Sequence, residues 1–387
     1  MLNVRKKSII HIITRLINGG ADENTVISCN YSVSIGNKVS LIIGANSDKE
    51  ILYKLDNRVN LIKVKNLIRS INPLKDILAL ICIQKEIKKL SPDIVHTHTS
   101  KAGIIGRIAA WLSGVPLIVH TVHILPFLNV NFIMKALYLI LEKLIANITG
   151  KYINVSTGMM ETSFRYKIGI PSKHSVIYSA FDTHKFINAK KSIGLNEPLF
   201  DEIRSENAKI ILMIGAFERR KRHKELVDIF NDISKAYPNT ILILVGDGLL
   251  ISEIKNQVKK LKLEKKVIFT GFRNDPEKMI ALADICVLNS VREGLPRVVM
   301  QYIAGGKPAI TTNLPGIEEI IKDGMNGEVF DMHDPKVLYN KLSDLLSNNE
   351  KLIKLTNGAK ETDVSNWSIE SMGKKIEDLY SSALLSK

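Results

Sequence analysis

Thirteen short, unbroken apolar runs alternate with longer amphipathic stretches along this chain, and that alternation limits its fold more than any other feature. In the first half the runs are SIIHIIT (8–14), KVSLIIG (38–44), NLIKV (60–64), DIVHTH (93–98), PLIVHTVH (116–123), KYINVS (151–156) and HSVIYS (174–179). In the second they are KIILMIGA (209–216), TILILVGDG (240–248), KVIFTGF (266–272), ICVLNS (285–290), PAITTN (308–313) and GEVF (327–330). Most are continuous rather than alternating, the pattern of parallel strands buried on both faces. Between them lie helical patterns such as 72–90, 101–114, 223–238 and 250–263. Strand-helix-strand repetition twice over predicts an α/β chain of two doubly wound parallel-sheet domains. The 387 residues suit that division. The break falls near YSAFDTHKF (178–186), before an irregular polar stretch ending around 208. The expected parts are 1–183, 184–365 and a terminal helix, 366–387, free to return to the first domain. In open parallel sheets, ligands sit outside the carboxyl ends of the strands, so the chemistry is expected in loops facing a cleft.

Composition narrows the partners. Residues 1–183 carry 23 Lys and Arg against 11 Asp and Glu, whereas 184–387 carry 31 against 28. A basic first half fits an anionic partner such as a phospholipid surface or a phosphorylated substrate, or else a solvated lysine-rich surface. Nucleic acid is not expected, because no helix-turn-helix, zinc finger or RNP-type strand accompanies the charge. Cys29, Cys82 and Cys286 are scattered without a CxxC pair, which supports neither a disulfide framework nor a zinc site and suits a reducing cytoplasm. The basic, apolar N-terminus is broken by His11, Thr14 and Arg15 and reads as a strand rather than a signal peptide. The apolar stretch 132–148 carries Lys135, Glu142 and Lys143 and falls short of a spanning helix.

The loops after strands hold the chemistry-bearing residues. Gly19 and Gly20 precede a helix; paired glycines let a backbone approach a phosphate, and equally make a tight turn. His96 and His98 share one strand face, but without a neighbouring cysteine or carboxylate cluster no metal is expected. His123, furthest out after its strand, suits a hydrogen bond to a substrate hydroxyl. Arg219, Arg220, Lys221 and Arg222 form a cationic loop after Gly215, apt for a diphosphate. GDG (246–248) is not a dinucleotide fingerprint, which disfavours a nicotinamide dehydrogenase. In REGLPRVVMQ (292–301), Pro296 is expected at the first helical position, with Gly294 allowing an unusual turn before it. The Arg297 and Val298 amides and the Arg297 side chain would then face a phosphate. Glu293 is expected on neutral groups such as sugar hydroxyls, and Gln301, on the helix face of Arg297, on a ribose.

Together these residues resemble glycosyltransferase family 4, retaining enzymes of the GT-B fold, and most closely its branch building O-antigen, capsular and exopolysaccharide units. The likeness runs through NGGADENT, SPDIVHTHTSKAGIIGRIAAWLSGVPLIVHTVH, VGDG, FTGFRND, REGLPRVVMQYIAGGKPAITTNLPGIEEII and the terminal helix. It implies acceptor binding by the first domain, nucleotide-sugar binding by the second, and catalytic roles for His123, Lys221 and Glu293. It also implies donor contacts from Gly19, Gly20, Gly215, Arg220, Gly246, Gly271, Phe272, Arg273, Gly294, Leu295, Pro296, Arg297, Val298 and Gln301. Two positions depart from the pattern: the family's second glutamate is Gln301, and its Gly-Arg pair is Gly215-Ala216. Arg219 or Arg220 is expected to replace the missing guanidinium.

The resemblance implies a UDP-sugar donor, a polyprenyl-diphosphate-linked saccharide acceptor, and an anionic membrane at the cytoplasmic face. No DxD motif is present, so no metal or other cofactor is expected. A UDP-sugar epimerase of the same fold and a non-catalytic nucleotide-binding subunit remain alternatives.

Overall fold

The strands pair in parallel throughout the described residues, the arrangement that continuous apolar runs require. The computed structural model describes residues 6–17, 19–125, 127, 130–189, 208–332 and 334–386. The chain divides into two units, Met1–Phe181 with Asn366–Lys387, and Asp182–Ser365. Most of the irregular stretch expected before 208 lies outside the described residues.

The first unit holds β1 (Ser8–Ile13), β2 (Lys38–Gly44), β3 (Asn60–Val64), β4 (Ile94–His98), β5 (Leu117–Val122), β6 (Lys151–Asn154) and β7 (His174–Val176), in sheet order β3-β2-β1-β4-β5-β6-β7. The second holds β8 (Lys209–Ile214), β9 (Thr240–Val245), β10 (Val267–Gly271), β11 (Ile285–Leu288), β12 (Ala309–Thr312) and β13 (Gly327–Phe330), in order β10-β9-β8-β11-β12-β13. Both are doubly wound sheets. The order reverses at β1/β4 and at β8/β11, where successive crossovers leave in opposite directions and open a crevice at the strand ends.

Both faces of each sheet are covered. Along β1, Ile10 and Ile12 pack beneath the helices Pro73–Leu90 and Ser100–Leu112, while Ile9 and Ile13 face the other side. That other side is closed partly by the terminal helix Ile369–Leu385, whose Met372, Ile376, Leu379, Tyr380 and Ala383 pack on Ile9, Leu117 and Val119. Its buried Glu377 holds Lys7 at 3.1 Å and accepts hydrogen bonds from Ser32 and Asn37.

The helix starts follow local chemistry. Asn72, with Pro73 behind it, caps the Lys75 amide; Asn131, Ser156 and Ser368 cap the Met134, Met159 and Ser371 amides. The helix Phe132–Ala146 owes its place to a buried ion pair. Arg107, fully buried, donates both Nη2 bonds to Glu142 at 2.8 and 2.9 Å. Its other donors reach the Gly103 carbonyl, Thr149 and Tyr152. One face of the helix is thereby fixed, and Phe132, Ile133, Ile140 and Leu144 are left exposed on it. Among the described residues no helix is long and apolar enough to cross a membrane.

Candidate functional site

In the second unit the site grows from the loops after β8 and β11, the two strands flanking the reversal. After β8 the chain makes a short 3-10 turn, Arg219–Lys221, and Arg222 takes a left-handed conformation at φ 54°. The Val291 amide donates to the Arg220 carbonyl at 2.8 Å, tying this turn to the loop after β11. Glu293 arrives in that second loop. Its Oε1 lies 2.6 Å from Lys221 Nζ and 2.7 Å from Arg220 Nη1, and Arg220 Nε also holds Glu218 at 2.8 Å.

The cationic loop and Glu293 thus meet in the structure, a pairing that the sequence did not indicate. The carboxylate and two of the four cations form one ion-paired unit, Arg219 is exposed, and Arg222 turns to Glu225 and the Met332 carbonyl. Burial pushes the Glu293 carboxyl up, but the Lys221 and then the Arg220 charges outweigh it and hold the group below its ordinary range. Burial also opposes the Arg220 charge, yet Glu293 and Glu218 keep the guanidinium above its usual value.

The helix beyond is Arg297–Ala304, one residue later than expected, with Pro296 as its N-cap at φ −73° and ψ 87°. Gly294 is not among the glycines with positive φ, so its turn does not need the left-handed freedom expected of it. Leu295 and Pro296 are buried, whereas Arg297, Val298 and Gln301 are half-buried. Burial draws the Arg297 guanidinium down to about 10. Sequence reasoning missed Tyr302, whose hydroxyl accepts the Ile214 amide at 2.8 Å and fixes this helix against the end of β8.

The glycines of the neighbouring loops divide into two kinds. Gly246, at φ 137°, has the Gly215 carbonyl 2.2 Å from where a Cβ would stand, so only glycine fits where β8 and β9 converge. This conformation ends β9 at Val245, short of the apolar run. Its amide donates to the Gly271 carbonyl at 2.8 Å, so the GDG stretch laces the strand ends together. Gly271, also at positive φ, has open space beside it. Phe272 is exposed, while Arg273 is held by Asp275 through Nε and Nη2, both at 2.7 Å.

In the first unit the loops after β1, β4 and β5 carry the candidates. Parallel register sets His11 beside His96, and three imidazoles gather: His11, His96 and His98, with ligand atoms within 4.8 Å of one another. His11 was not foreseen because its partners are 85 and 87 residues away. His96 bonds Tyr380 and Thr121, each at 2.6 Å. His98 bonds His11 at 3.0 Å and His123 at 3.2 Å. Burial lowers all of them, His11 to about 3 and His123 to about 4, so each ring is neutral at pH 7. Thr99, just after β4, is at φ 62° and ψ 164°, a conformation costly for any residue with a side chain.

His123 is half-buried and lines a cavity of about 90 Å³ with Ala21, Thr99, Ser100 and His120. Gly19 caps the helix Gly20–Ser34, and a Cβ on it would stand 3.2 Å from Asp22. That carboxylate was also missed: burial raises it to about 7, against the opposing pull of the Ile17 amide and Arg15.

Residues 197–362 match the family model for glycosyl transferases group 1, and residues 21–151 that for glycosyl transferase 4-like domains. The UDP-Gal:alpha-D-GlcNAc-diphosphoundecaprenol alpha-1,3-galactosyltransferase of Escherichia coli is 31% identical over 337 residues, 86% of each chain. The capsular polysaccharide biosynthesis glycosyltransferase CapM of Staphylococcus aureus is 25% identical over 349 residues, 88% of this chain and 89% of its own. Among solved structures, Anabaena Alr3699/HepE in complex with UDP and glucose superposes with a TM-score of 0.80 at 20% identity, over 97% of this chain and 100% of that one. At that identity the likeness is one of fold.

Proposed function

The chain belongs to glycosyltransferase family 4, with the GT-B fold, and from that premise we propose that it moves a sugar from a UDP-sugar to a polyprenyl-diphosphate-linked saccharide, with retention at the anomeric carbon. The observation carrying this reading is the ion-paired unit of Glu293, Lys221 and Arg220 between the loops after β8 and β11. Fixed cations beside a helix start are suited to the charge that develops on a departing diphosphate. Arg220 stands in for the guanidinium that Ala216 lacks. Glu293, released from part of its ion pair by a bound diphosphate, takes sugar hydroxyls, and Gln301 takes the ribose.

The bond from the anomeric carbon to the UDP oxygen breaks, and the acceptor hydroxyl attacks from the same face. Its proton passes to the departing phosphate oxygen, so no protein base is needed. The E. coli relative is named for UDP-Gal and GlcNAc-diphosphoundecaprenol, which makes that pair the first to test. Incubation with each UDP-sugar, with and without the lipid, is expected to give UDP and a glycolipid longer by one sugar. Turnover should persist in excess EDTA, as expected if the cations replace a metal. Conversion of a UDP-sugar to its epimer without lipid would point instead to an epimerase, and UDP binding without turnover of any sugar to a non-catalytic subunit.

The acceptor places the enzyme at the cytoplasmic face of a membrane. Two helices flanking Ser100–Leu112 carry exposed apolar side chains and an exposed lysine: Phe132, Ile133, Ile140 and Leu144 with Lys143 on one, and Leu74 and Ile77 with Lys75 on the other. Such faces suit an anionic bilayer. The double variant Phe132→Ser/Ile133→Ser is expected to bind anionic vesicles at least about tenfold more weakly, the scale of two lost apolar insertions. Flotation with vesicles checks this, and unchanged binding would remove this helix from the docking face.

A further inference from the structure

The imidazoles of His11, His98 and His123 form a chain from the interior of the first unit to the cavity wall. His11 Nδ1 meets His98 Nε2 at 3.0 Å, and His98 Nδ1 meets His123 Nε2 at 3.2 Å. A neutral imidazole carries one N–H and one lone pair, so such a chain runs in a single direction. Two directions satisfy the two contacts, and they differ at the inner end. Among the described residues His11 Nε2 is buried and has no hydrogen-bond partner. If the protons point inward, that atom is an orphaned N–H; if they point outward, it is a bare lone pair. Buried donors left unpaired are rarer in folded proteins than under-satisfied acceptors, so the outward direction is the less costly.

We infer that His11 and His98 are positioning residues that set the tautomer of His123, leaving it with Nε2 bare and its proton on Nδ1. His11 donates from Nδ1 to His98, and His98 donates from Nδ1 to His123. His123 therefore presents an N–H donor, which recognises an acceptor oxygen on a hydroxyl or phosphate and rejects an obligate donor. The substrate half of this inference rests on the reading of His123 as a contact of the donor sugar. His96 lies outside the chain, since both its nitrogens are engaged by Tyr380 and Thr121.

A divalent ion held by His11, His96 and His98 is the competing use of this cluster. It would need the lone pairs of all three rings at once, which the hydrogen-bonded chain does not leave available.

Ring-nitrogen NMR of the full chain labelled with ¹⁵N-histidine tests the assignment, with single-histidine variants identifying the signals. His11, His98 and His123 are each expected to show a protonated Nδ1 and a bare Nε2 at pH 7. His123 protonated at Nε2, averaged signals, or one equivalent of zinc retained by the purified protein would overturn it. Two variants read the consequence. His11→Leu removes the donor, and His123 is expected to become a mixture of tautomers, with kcat lower by about tenfold and KM for the nucleotide-sugar little changed. His11→Asn keeps an N–H near the Nδ1 position and is expected to restore both. Equal losses in the two variants, or no loss in folded His11→Leu, would refute a tautomer role. If His123→Ala keeps full turnover while the wild-type spectrum is as expected, the donor-contact reading fails and the tautomer assignment stands.

Discussion

Lys221→Ala is expected to lower turnover of the nucleotide-sugar by about 10²–10³-fold, the cost of removing one fixed donor from charge that develops in the transition state. Lys221 is buried on Glu293 at 2.6 Å, so its ammonium is already placed where the two loops meet and needs no reorganisation. Arg220 remains to pair the carboxylate in the variant, which protects the fold; thermal unfolding should show that the second unit keeps its structure. The variant also changes the pH profile. Glu293 is raised by burial and held down more strongly by Lys221 and Arg220. A carboxyl depressed in this way adds stability above its unfolded pKa and loses it as pH falls through its folded value. Without Lys221 that value rises, so the acid limb of activity should move to higher pH. Steady-state rates from pH 4 to 8 check both expectations, and a variant with wild-type turnover would sink the proposed role of this lysine.

The second large effect concerns the first unit. Arg107→Met is expected to destabilise it by about 3–5 kcal/mol, because Glu142 would keep a buried charge without its partner. Arg107 donates to five acceptor atoms, and Glu142 takes two of those bonds from the buried side of its helix. Pairing the change with Glu142→Leu removes both charges and should recover most of the loss, since a buried ion pair is seldom more stable than an apolar replacement of similar volume. Urea unfolding of both variants is the measurement, fitted without assuming one transition for the whole chain. The single variant should also bind vesicles more weakly, because the exposed Phe132 and Ile133 sit on the helix that this pair anchors.

The strands were legible almost residue by residue. An apolar run such as KIILMI carries its own signal, and the glycine or proline that ends it is beside it. Helix spans were legible for the same reason: the pattern 72–90 corresponds to the helix Pro73–Leu90 with its capping Asn72 before it. The site was legible only as a set of loops. Lys221, Arg220 and Glu293 could each be picked out, but two were sent to a diphosphate and the third to a sugar. Their mutual pairing spans 73 residues and leaves no local trace. Pro296 slipped by one position because φ alone makes a proline equally fit to precede a helix or begin it, and ψ 87° sets it before. His11 read as an interruption in an apolar run, and nothing beside Arg107 marked it as the partner of Glu142.

The sequence by itself determined where this chain would make strands and helices and which loops would carry charge, because periodicity and side-chain charge act over a few residues. Only the tertiary structure decided which of those loops meet. Reversal of the strand order at β1/β4 and β8/β11 brings distant segments together in each unit, so that Glu293 finds its cations and His11 finds His98. The physical reason is that a buried charge or a neutral imidazole takes its properties from its partner, and the partner is chosen by sheet topology.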